Sequence, residues 1–197
     1  MLTTKLPNAI EERVPLNLNG RFFVELLSYG QVNPVGDALS AAKNHFQGRK
    51  DLQVLEIGVL RGHNAENINK ELNPELLVLV DLYEISQGSL EYHDNNWAEL
   101  YYRIQRKSNT VVIKTSSEKA RSLLSGKFDF IYIDGDHGDI DTDIRLWKDS
   151  MNKGGIFAGH DYNYPNIEAS VDVWFSDYTV NTSPYHPNGG LDWWIFV

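Results

Sequence analysis

The chain of 197 residues contains no cysteine, no long apolar run and no cluster of lysine and arginine. The missing cysteines exclude disulfides, zinc sites built on thiolates and cysteine nucleophiles. The longest purely aliphatic run, residues 76–80, is far too short to cross a bilayer, and the first residues lack the apolar core of a signal peptide. We therefore expect a soluble, cytoplasmic protein with no membrane partner.

A strongly basic surface is also missing, because 27 acidic residues outnumber 18 basic ones and leave a net charge of -9. This charge opposes a polyphosphate partner, so we expect no binding to nucleic acid. No linker rich in proline and serine divides the chain, and 42% of its residues are hydrophobic. That content supports one domain with a well-packed core.

Residues 128–137, with the sequence FDFIYIDGDH, carry the most informative pattern. Their apolar part is typical of a strand that is buried on both faces, as in the centre of a parallel sheet. Asp134, Asp136 and His137 then fall at the carboxyl end of this strand, where ligands bind in open α/β sheets. A structural alternative is that the acids of this region cap and charge the next helix.

Strand and helix patterns alternate from residue 53 onward. Strands are predicted at 54–57, 76–81, 111–114, 130–134, 156–159, 178–180 and 193–197. Helices are predicted at 62–71, 95–105, 118–124, 140–150 and 167–175. The alternation predicts a doubly wound, mostly parallel seven-stranded α/β sheet, in which the last two strands, joined by a loop, can pair antiparallel.

Residues 1–50 do not follow this pattern. Residues 1–20 show no sustained period and predict an irregular arm, and helical spacing follows at 21–27 and 35–46. Since these residues precede the alternating core at 51–197, we expect them to cover the crevice, to supply part of an acceptor pocket or to contact a second copy of the chain in a homo-oligomer.

The loop that follows the first strand, EIGVLRG, is suited to a nucleoside cofactor. Gly58 can adopt a backbone conformation that other residues resist, and Gly62 is expected to let the next helix start close to the sheet with its N–H groups aimed at a ligand. Asp81 ends the adjacent strand, where a carboxylate can bind the hydroxyls of a ribose. Glu56 would repel a pyrophosphate but suits a cationic amino-acid group. The alternative is a tight turn without a ligand.

Five motifs of the chain follow the order of a known family: ExGxxxG at 56–62, the acid Asp81, FDFIYIDGDH at 128–137, a helix with Asp143 and Trp147, and KGGIFAGHDY at 153–162. Together they resemble the class I S-adenosylmethionine-dependent methyltransferases. Within that class, the chain is similar to the branch of macrocin-type sugar O-methyltransferases and cephalosporin-hydroxylase-like proteins. The resemblance covers about residues 50–197 and implies a Rossmann-like fold and methyl transfer to a small-molecule hydroxyl.

The resemblance also implies roles for individual residues. Glu56, Gly58 and Gly62 would frame the methionine part of S-adenosylmethionine, and Asp81 would hold its ribose. Ser117 falls where the family contacts the adenine. A structural role for Ser117, as the cap of the helix that follows, is compatible with that contact.

A divalent cation is the second cofactor that the resemblance implies. In the metal-dependent members, acids at the ends of strands four and five bind the ion, which points to Asp134, also placed at the cofactor, and to Asp161. His160 stands where those members often carry a second carboxylate. Two carboxylates suit Mg²⁺, whereas an added imidazole shifts the preference toward Mn²⁺ or another transition metal, or leaves a weak site.

His137 and Asp136 are the candidates for the base that takes the proton of the acceptor hydroxyl. An imidazole with a pKa of about 6.5 suits this task at neutral pH. The structural alternative is that His137 only binds a backbone carbonyl.

Two other functions fit the sequence. One is a catalytically silent cofactor-binding protein of the same fold, although the polar ends of two neighbouring strands argue against it. The other is a metal-dependent oxygenase-like or hydrolytic enzyme, whose ligands would be Asp134, His137, His160 and Asp161.

Overall fold

The structure is a computed structural model and describes residues 36–83, 90–104, 107–136, 138–184 and 191–197. The predicted arm and the predicted helix at 21–27 lie outside the described residues, and so does His137. All described residues belong to one structural unit, which begins at residue 33. Among the helices of the described ranges, none has the length and apolar character needed to span a membrane.

Strands and helices alternate along this unit. The strands are β1 (Gln53–Ile57), β2 (Leu76–Asp81), β3 (Thr110–Lys114), β4 (Phe128–Ile133), β5 (Met151–Gly159), β6 (Asn181–Thr182) and β7 (Trp193–Phe196). The helices are α1 (Asp37–His45), α2 (His63–Leu72), α3 (Leu90–Ile104), α4 (Ser117–Leu123), α5 (Ile140–Trp147) and α6 (Pro165–Trp174), with a 3-10 turn at Lys148–Ser150.

The seven strands form one sheet in the order β3-β2-β1-β4-β5-β7-β6. Strands β1 to β5 pair in parallel, and β7 pairs antiparallel with both β5 and β6. The predicted doubly wound, mostly parallel sheet is therefore confirmed, including the antiparallel pair near the end of the chain.

Helices cover both faces of the sheet, whose central strands are mainly apolar. All six residues of β4 are buried, as a strand in the centre of a covered parallel sheet must be. Apolar residues of α1, α2 and α3 pack on one face, and those of α4, α5 and α6 pack on the other. Trp147 and Trp193 are fully buried in the second cluster.

Strand β5 begins five residues earlier than predicted. The lysine and two glycines at 153–155, whose local pattern is typical of a turn, lie inside this strand, where the six residues 151–156 stand opposite the three residues 128–130. Gly154 has a φ of 77° and allows the irregular backbone. The strand therefore contains a local irregularity at residues whose sequence pattern is typical of a turn.

Three other predictions differ from the structure by more than two residues. The strand predicted at 178–180 is wrong, because the N–H of Tyr178 donates to the carbonyl of Phe175 and continues the turn after α6. Strand β6 follows that turn. Helix α3 begins five residues before the predicted start, and α5 ends in a 3-10 turn instead of continuing to Ser150.

Candidate functional site

A cavity of about 680 Å³ opens at the carboxyl ends of β1, β2 and β4. The cavity is the crevice expected at this edge of an open α/β sheet. It lies at β1, where the strand order reverses: β2 and β3 lie on one side of β1, and β4 and β5 lie on the other. Of the predicted site residues, the cavity brings together Glu56, Gly58, Asp81, Ser117, Asp134 and Asp136.

The loop after β1 has a tight backbone that glycine makes possible. Gly58 has a φ of 79°, and a Cβ atom there would lie 2.1 Å from the carbonyl oxygen of Asp134. The loop therefore crosses directly over the end of β4. Gly62 has a φ of 76°, but a Cβ atom there would meet Leu100 of α3 at 2.4 Å. Gly62 therefore allows a close approach between the start of α2 and helix α3, and the predicted approach of α2 to the sheet stays a prediction.

Asp81 binds the main chain of this loop. Its Oδ2 atom accepts hydrogen bonds from the N–H groups of Val59 at 2.7 Å and Leu60 at 2.9 Å. Its Oδ1 atom accepts from the N–H of Tyr83 at 2.9 Å. A carboxylate offers about four acceptor positions, so the described residues leave one for a ligand such as a ribose hydroxyl. The structure thus gives Asp81 a second task, which is to hold the loop.

Glu56 has an oxygen that no other described residue binds. Its side chain is buried, with 1% exposure, and its Oε1 atom accepts from Asn64 Nδ2 at 3.3 Å. Its Oε2 atom has no hydrogen-bond partner among the described residues. Burial raises the pKa of Glu56 well above its usual range. A buried oxygen without a partner costs free energy, so this position suits a ligand with a cationic donor.

The first turn of α4 is tied to α5 at the other end of the cavity. Ser116 caps α4 by accepting from the N–H of Lys119, so the capping role predicted for Ser117 is wrong. Ser117 accepts instead from Trp147 Nε1 at 2.8 Å and also bonds to Asp143. Burial raises the pKa of Asp143 to about 6, and the bond to Ser117 reduces this shift. The hydroxyl of Ser117 therefore serves first to join two helices.

Asp134, His160 and Asp161 form a cluster beside the cavity, with one ligand atom from each lying within 4.8 Å of the others. Nδ1 of His160 is 3.1 Å from Asp161 Oδ1 and 3.8 Å from Asp134 Oδ1. The hydrogen bond to Asp161 raises the pKa of His160 to about 9, against the opposing effect of burial. An imidazolium can therefore offset one of the two carboxylate charges, whereas a divalent cation would offset both.

Asp136 borders the cavity and is exposed. Of the two candidate bases, it is the one that lies among the described residues. Its Oδ1 atom accepts from the N–H of Gly138 at 2.9 Å, a bond within the turn before α5. Asp139 stands at the N-cap of that helix, but its side chain makes no capping bond. The capping part of the structural alternative therefore accounts for little of this acidic turn, whereas Asp141 and Asp143 do place negative charge in the first turn of α5.

Comparison with known protein families shows to which family the chain belongs. A family model described as a methyltransferase domain matches residues 55–162, more than half of the 197-residue chain. The chain belongs to this family of methyltransferase domains. The matched range begins inside β1 and ends after the cluster of Asp134, His160 and Asp161, so it contains all the predicted cofactor and metal residues.

Solved structures share the fold of this methyltransferase domain at low sequence identity. An O-methyltransferase from Bacillus cereus in complex with SAH has a TM-score of 0.58 and 14% identity, with 93% of this chain and 94% of that chain covered. Precorrin 8w decarboxylase from Methanobacterium thermoautotrophicum has a TM-score of 0.62 and 12% identity, with 84% and 92% covered. Cofactor-bound Rv0187 from MTB has a TM-score of 0.61 and 14% identity, with 93% and 92% covered. These likenesses confirm the Rossmann-like methyltransferase fold. No curated protein matches the chain.

Two residues of the methyltransferase domain that border or support the cavity were not predicted from the sequence. Tyr132 lines the cavity, and its hydroxyl donates to Asp192 Oδ1 at 2.8 Å. Asp192 is 4% exposed, and its Oδ2 atom accepts from the N–H of Ala38 at 3.0 Å. Tyr132 carried a signal, because it is a polar residue inside a buried strand. Asp192 carried none, since its partners lie 60 and 154 positions away.

Proposed function

We propose that this methyltransferase domain transfers the methyl group of S-adenosylmethionine to a hydroxyl group of a small molecule. The observation that carries the proposal is Glu56, a buried carboxyl group at the cavity whose Oε2 atom has no partner in the described part of the chain. The methionine part of the cofactor bears an ammonium group, which would donate to this atom. The remaining acceptor position of Asp81 fits a ribose hydroxyl.

The charge of the cavity supports a cationic cofactor. Its acidic lining consists of Glu56, Asp81, Glu118, Asp134, Asp136, Asp139 and Asp143. The sulfonium and ammonium groups of S-adenosylmethionine are attracted by such a lining, whereas the pyrophosphate of a dinucleotide is repelled. We therefore expect S-adenosylmethionine to bind and NAD not to bind.

The reaction needs an acceptor that loses a proton as its oxygen takes the methyl group. S-Adenosylmethionine supplies a methyl group that is transferred by direct displacement. The protein must align the acceptor and take its proton, and we assign that task to Asp136 or to its neighbour His137. The exposed position of Asp136 at the cavity leaves it accessible to an acceptor hydroxyl.

We further propose that Asp134, His160 and Asp161 hold a divalent cation. Their ligand atoms lie close enough to meet at one ion, and two carboxylates with one imidazole suit Mn²⁺ or Mg²⁺. Such an ion would lower the pKa of the acceptor hydroxyl.

Calorimetric titration with MnCl₂ tests this metal site. Asp134→Asn and Asp161→Asn should each weaken Mn²⁺ binding at least tenfold and spare the affinity for S-adenosylhomocysteine, whereas Asn at the exposed Asp149 should change neither. Equal Mn²⁺ affinity in all four proteins would place the ion elsewhere.

The acceptor class and the role of residues 1–50 remain proposals. The macrocin-type resemblance favours a sugar or a natural product as acceptor, with residues 1–50 covering it. In the described part of this region, Gly36 lines the cavity and α1 packs on the sheet. Deleting residues 1–20 should therefore reduce turnover while S-adenosylhomocysteine still binds. Loss of binding together with loss of folding would make the segment structural instead.

The direct test of the activity is transfer of a labelled methyl group. The protein is incubated with methyl-labelled S-adenosylmethionine and a panel of sugar, polyketide and phenolic hydroxyl compounds, with Mn²⁺ or with a chelator, and products are identified by mass spectrometry. We expect a labelled methyl ether from at least one class. If the cofactor binds but no compound class is labelled under either condition, the catalytically silent alternative replaces the proposal.

A further inference from the structure

Strand β4 places a second polar group beside Glu56. Glu56 and Tyr132 are register partners in the neighbouring parallel strands β1 and β4, so their side chains lie on the same face of the sheet. Both residues line the cavity. The side chain of Glu56, whose Oε2 atom has no hydrogen-bond partner among the described residues, therefore has a tyrosine as its lateral neighbour.

The hydrogen bond of Tyr132 determines what its hydroxyl can offer to a ligand. The hydroxyl donates to Oδ1 of Asp192 at 2.8 Å, because a carboxylate can only accept. A hydroxyl has a single hydrogen, so its oxygen can then only accept a hydrogen bond from the cavity. Burial raises the pKa of Tyr132 well above its usual range, and the nearby Asp192 adds to this shift, so the hydroxyl keeps its hydrogen.

Asp192 is itself fixed in position. It is 4% exposed, and its second oxygen accepts from the N–H of Ala38 in the first turn of α1 at 3.0 Å. A Cβ atom at Gly36 would lie 2.3 Å from the same oxygen, so the backbone of α1 packs directly against the carboxylate. With one oxygen bound to α1, the other is held toward Tyr132.

We propose that Tyr132, oriented by Asp192, binds the ammonium group of the cofactor together with Glu56 and thereby selects ligands that carry an amino group. This inference rests on the proposed function, in which the cavity holds S-adenosylmethionine. An ammonium group has three N–H donors and no acceptor, so it matches two acceptor oxygens side by side. Tyr132 is then a specificity-determining residue, and Asp192 is a positioning residue that acts through it.

Asp192→Asn reverses the hydrogen bond. When the amide oxygen of the new side chain accepts from Ala38, its NH₂ group faces Tyr132 and donates, and the tyrosine hydrogen turns toward the ligand. Tyr132→Phe removes the acceptor whichever way the amide is oriented. The matched control is Asp172→Asn, because Asp172 accepts from the hydroxyl of Tyr162 at 2.8 Å in an exposed pair that does not border the cavity.

The experiment compares two ligands by calorimetric titration of the full-length chain and its variants. S-Adenosylhomocysteine carries the ammonium group, whereas 5′-methylthioadenosine shares the nucleoside but lacks the amino-acid part. We expect Tyr132→Phe and Asp192→Asn to weaken S-adenosylhomocysteine about tenfold or more, the effect of about 1.4 kcal/mol. The affinity for 5′-methylthioadenosine should change less than about twofold, and Asp172→Asn should affect neither ligand.

The outcomes separate this inference from the proposal on which it rests. If the unsubstituted protein binds S-adenosylhomocysteine but Tyr132→Phe weakens both ligands equally or neither, the assignment to the ammonium group is overturned while the cofactor proposal stands. If the unsubstituted protein binds neither ligand, the cofactor proposal itself fails. Thermal melts of each variant show whether it is folded, and Tyr132→Phe, which deletes one oxygen, provides the result if Asp192→Asn does not fold.

Discussion

Replacing Glu56 with Gln should change how the stability of the ligand-free protein depends on pH. Burial raises the pKa of Glu56 well above the usual value of 4.5, so the folded state holds the proton at pH values where the unfolded state has released it. The stability contributed by this proton is fully present below about pH 4.5 and is lost as the pH rises toward the folded-state pKa. Gln has no such proton, so the variant lacks this loss.

The size of the effect follows from the single proton involved. One group that is protonated only in the folded state changes the free energy of unfolding by at most about 1.4 kcal/mol per pH unit. For a chain of this length, 1 kcal/mol moves the melting temperature by about 2–4 °C. The melting temperature of the unsubstituted protein should therefore fall by up to about 3–5 °C per pH unit relative to Glu56→Gln.

Thermal melts at several pH values from about 5 to 7 measure this difference. Subtracting the curve of the variant from that of the unsubstituted protein cancels the other titrating groups, which the two proteins share. Glu75→Gln, which changes an exposed acid, is the matched control and should give a curve parallel to that of the unsubstituted protein. Parallel curves for Glu56→Gln as well would refute the claim that burial at the cavity raises the pKa of the Glu56 carboxyl group.

Three further substitutions test other parts of the account. Asp129→Ala should cost about 3 kcal/mol in urea unfolding, since this buried carboxylate accepts three hydrogen bonds, from the side chains of Arg49 and Asn152 and the N–H of Gln53, of about 1 kcal/mol each. Asp81→Ala should lower the melting temperature as well as the calorimetric affinity for S-adenosylhomocysteine, and an effect on affinity alone would contradict its role in holding the loop. Trp147→Phe removes the donor to a serine hydroxyl, at a cost of about 1 kcal/mol, and also leaves a cavity in the core, so thermal melts should show a larger loss than that; no loss would contradict both contributions.

The parts of the fold that depend on local pattern could be predicted from the sequence. Strand β2 was predicted with the bounds that the structure shows, because its apolar run is uninterrupted and ends in a charged residue. The alternation of strands with helical patterns was sufficient for the doubly wound sheet. The approximate positions of the acids at the carboxyl ends of the strands follow from the same alternation.

The parts that depend on distant contacts could not be predicted. The irregular start of β5 exists only through its pairing with β4, and a lysine followed by two glycines has the local pattern of a turn. The close neighbour of Gly62 is a side chain of α3, which no local spacing indicates. Either of two adjacent serines could cap α4, and only the structure shows that Ser116 does.

The most direct test of the central claim is a calorimetric titration of the unsubstituted protein with S-adenosylhomocysteine and, separately, with NAD. We predict one binding site for S-adenosylhomocysteine and no measurable heat from NAD. At a ligand concentration one hundred times the Kd, the free energy of unfolding should also rise by about 2.7 kcal/mol. Tight binding of NAD, with no binding of S-adenosylhomocysteine, would contradict the assignment of the acidic cavity to S-adenosylmethionine.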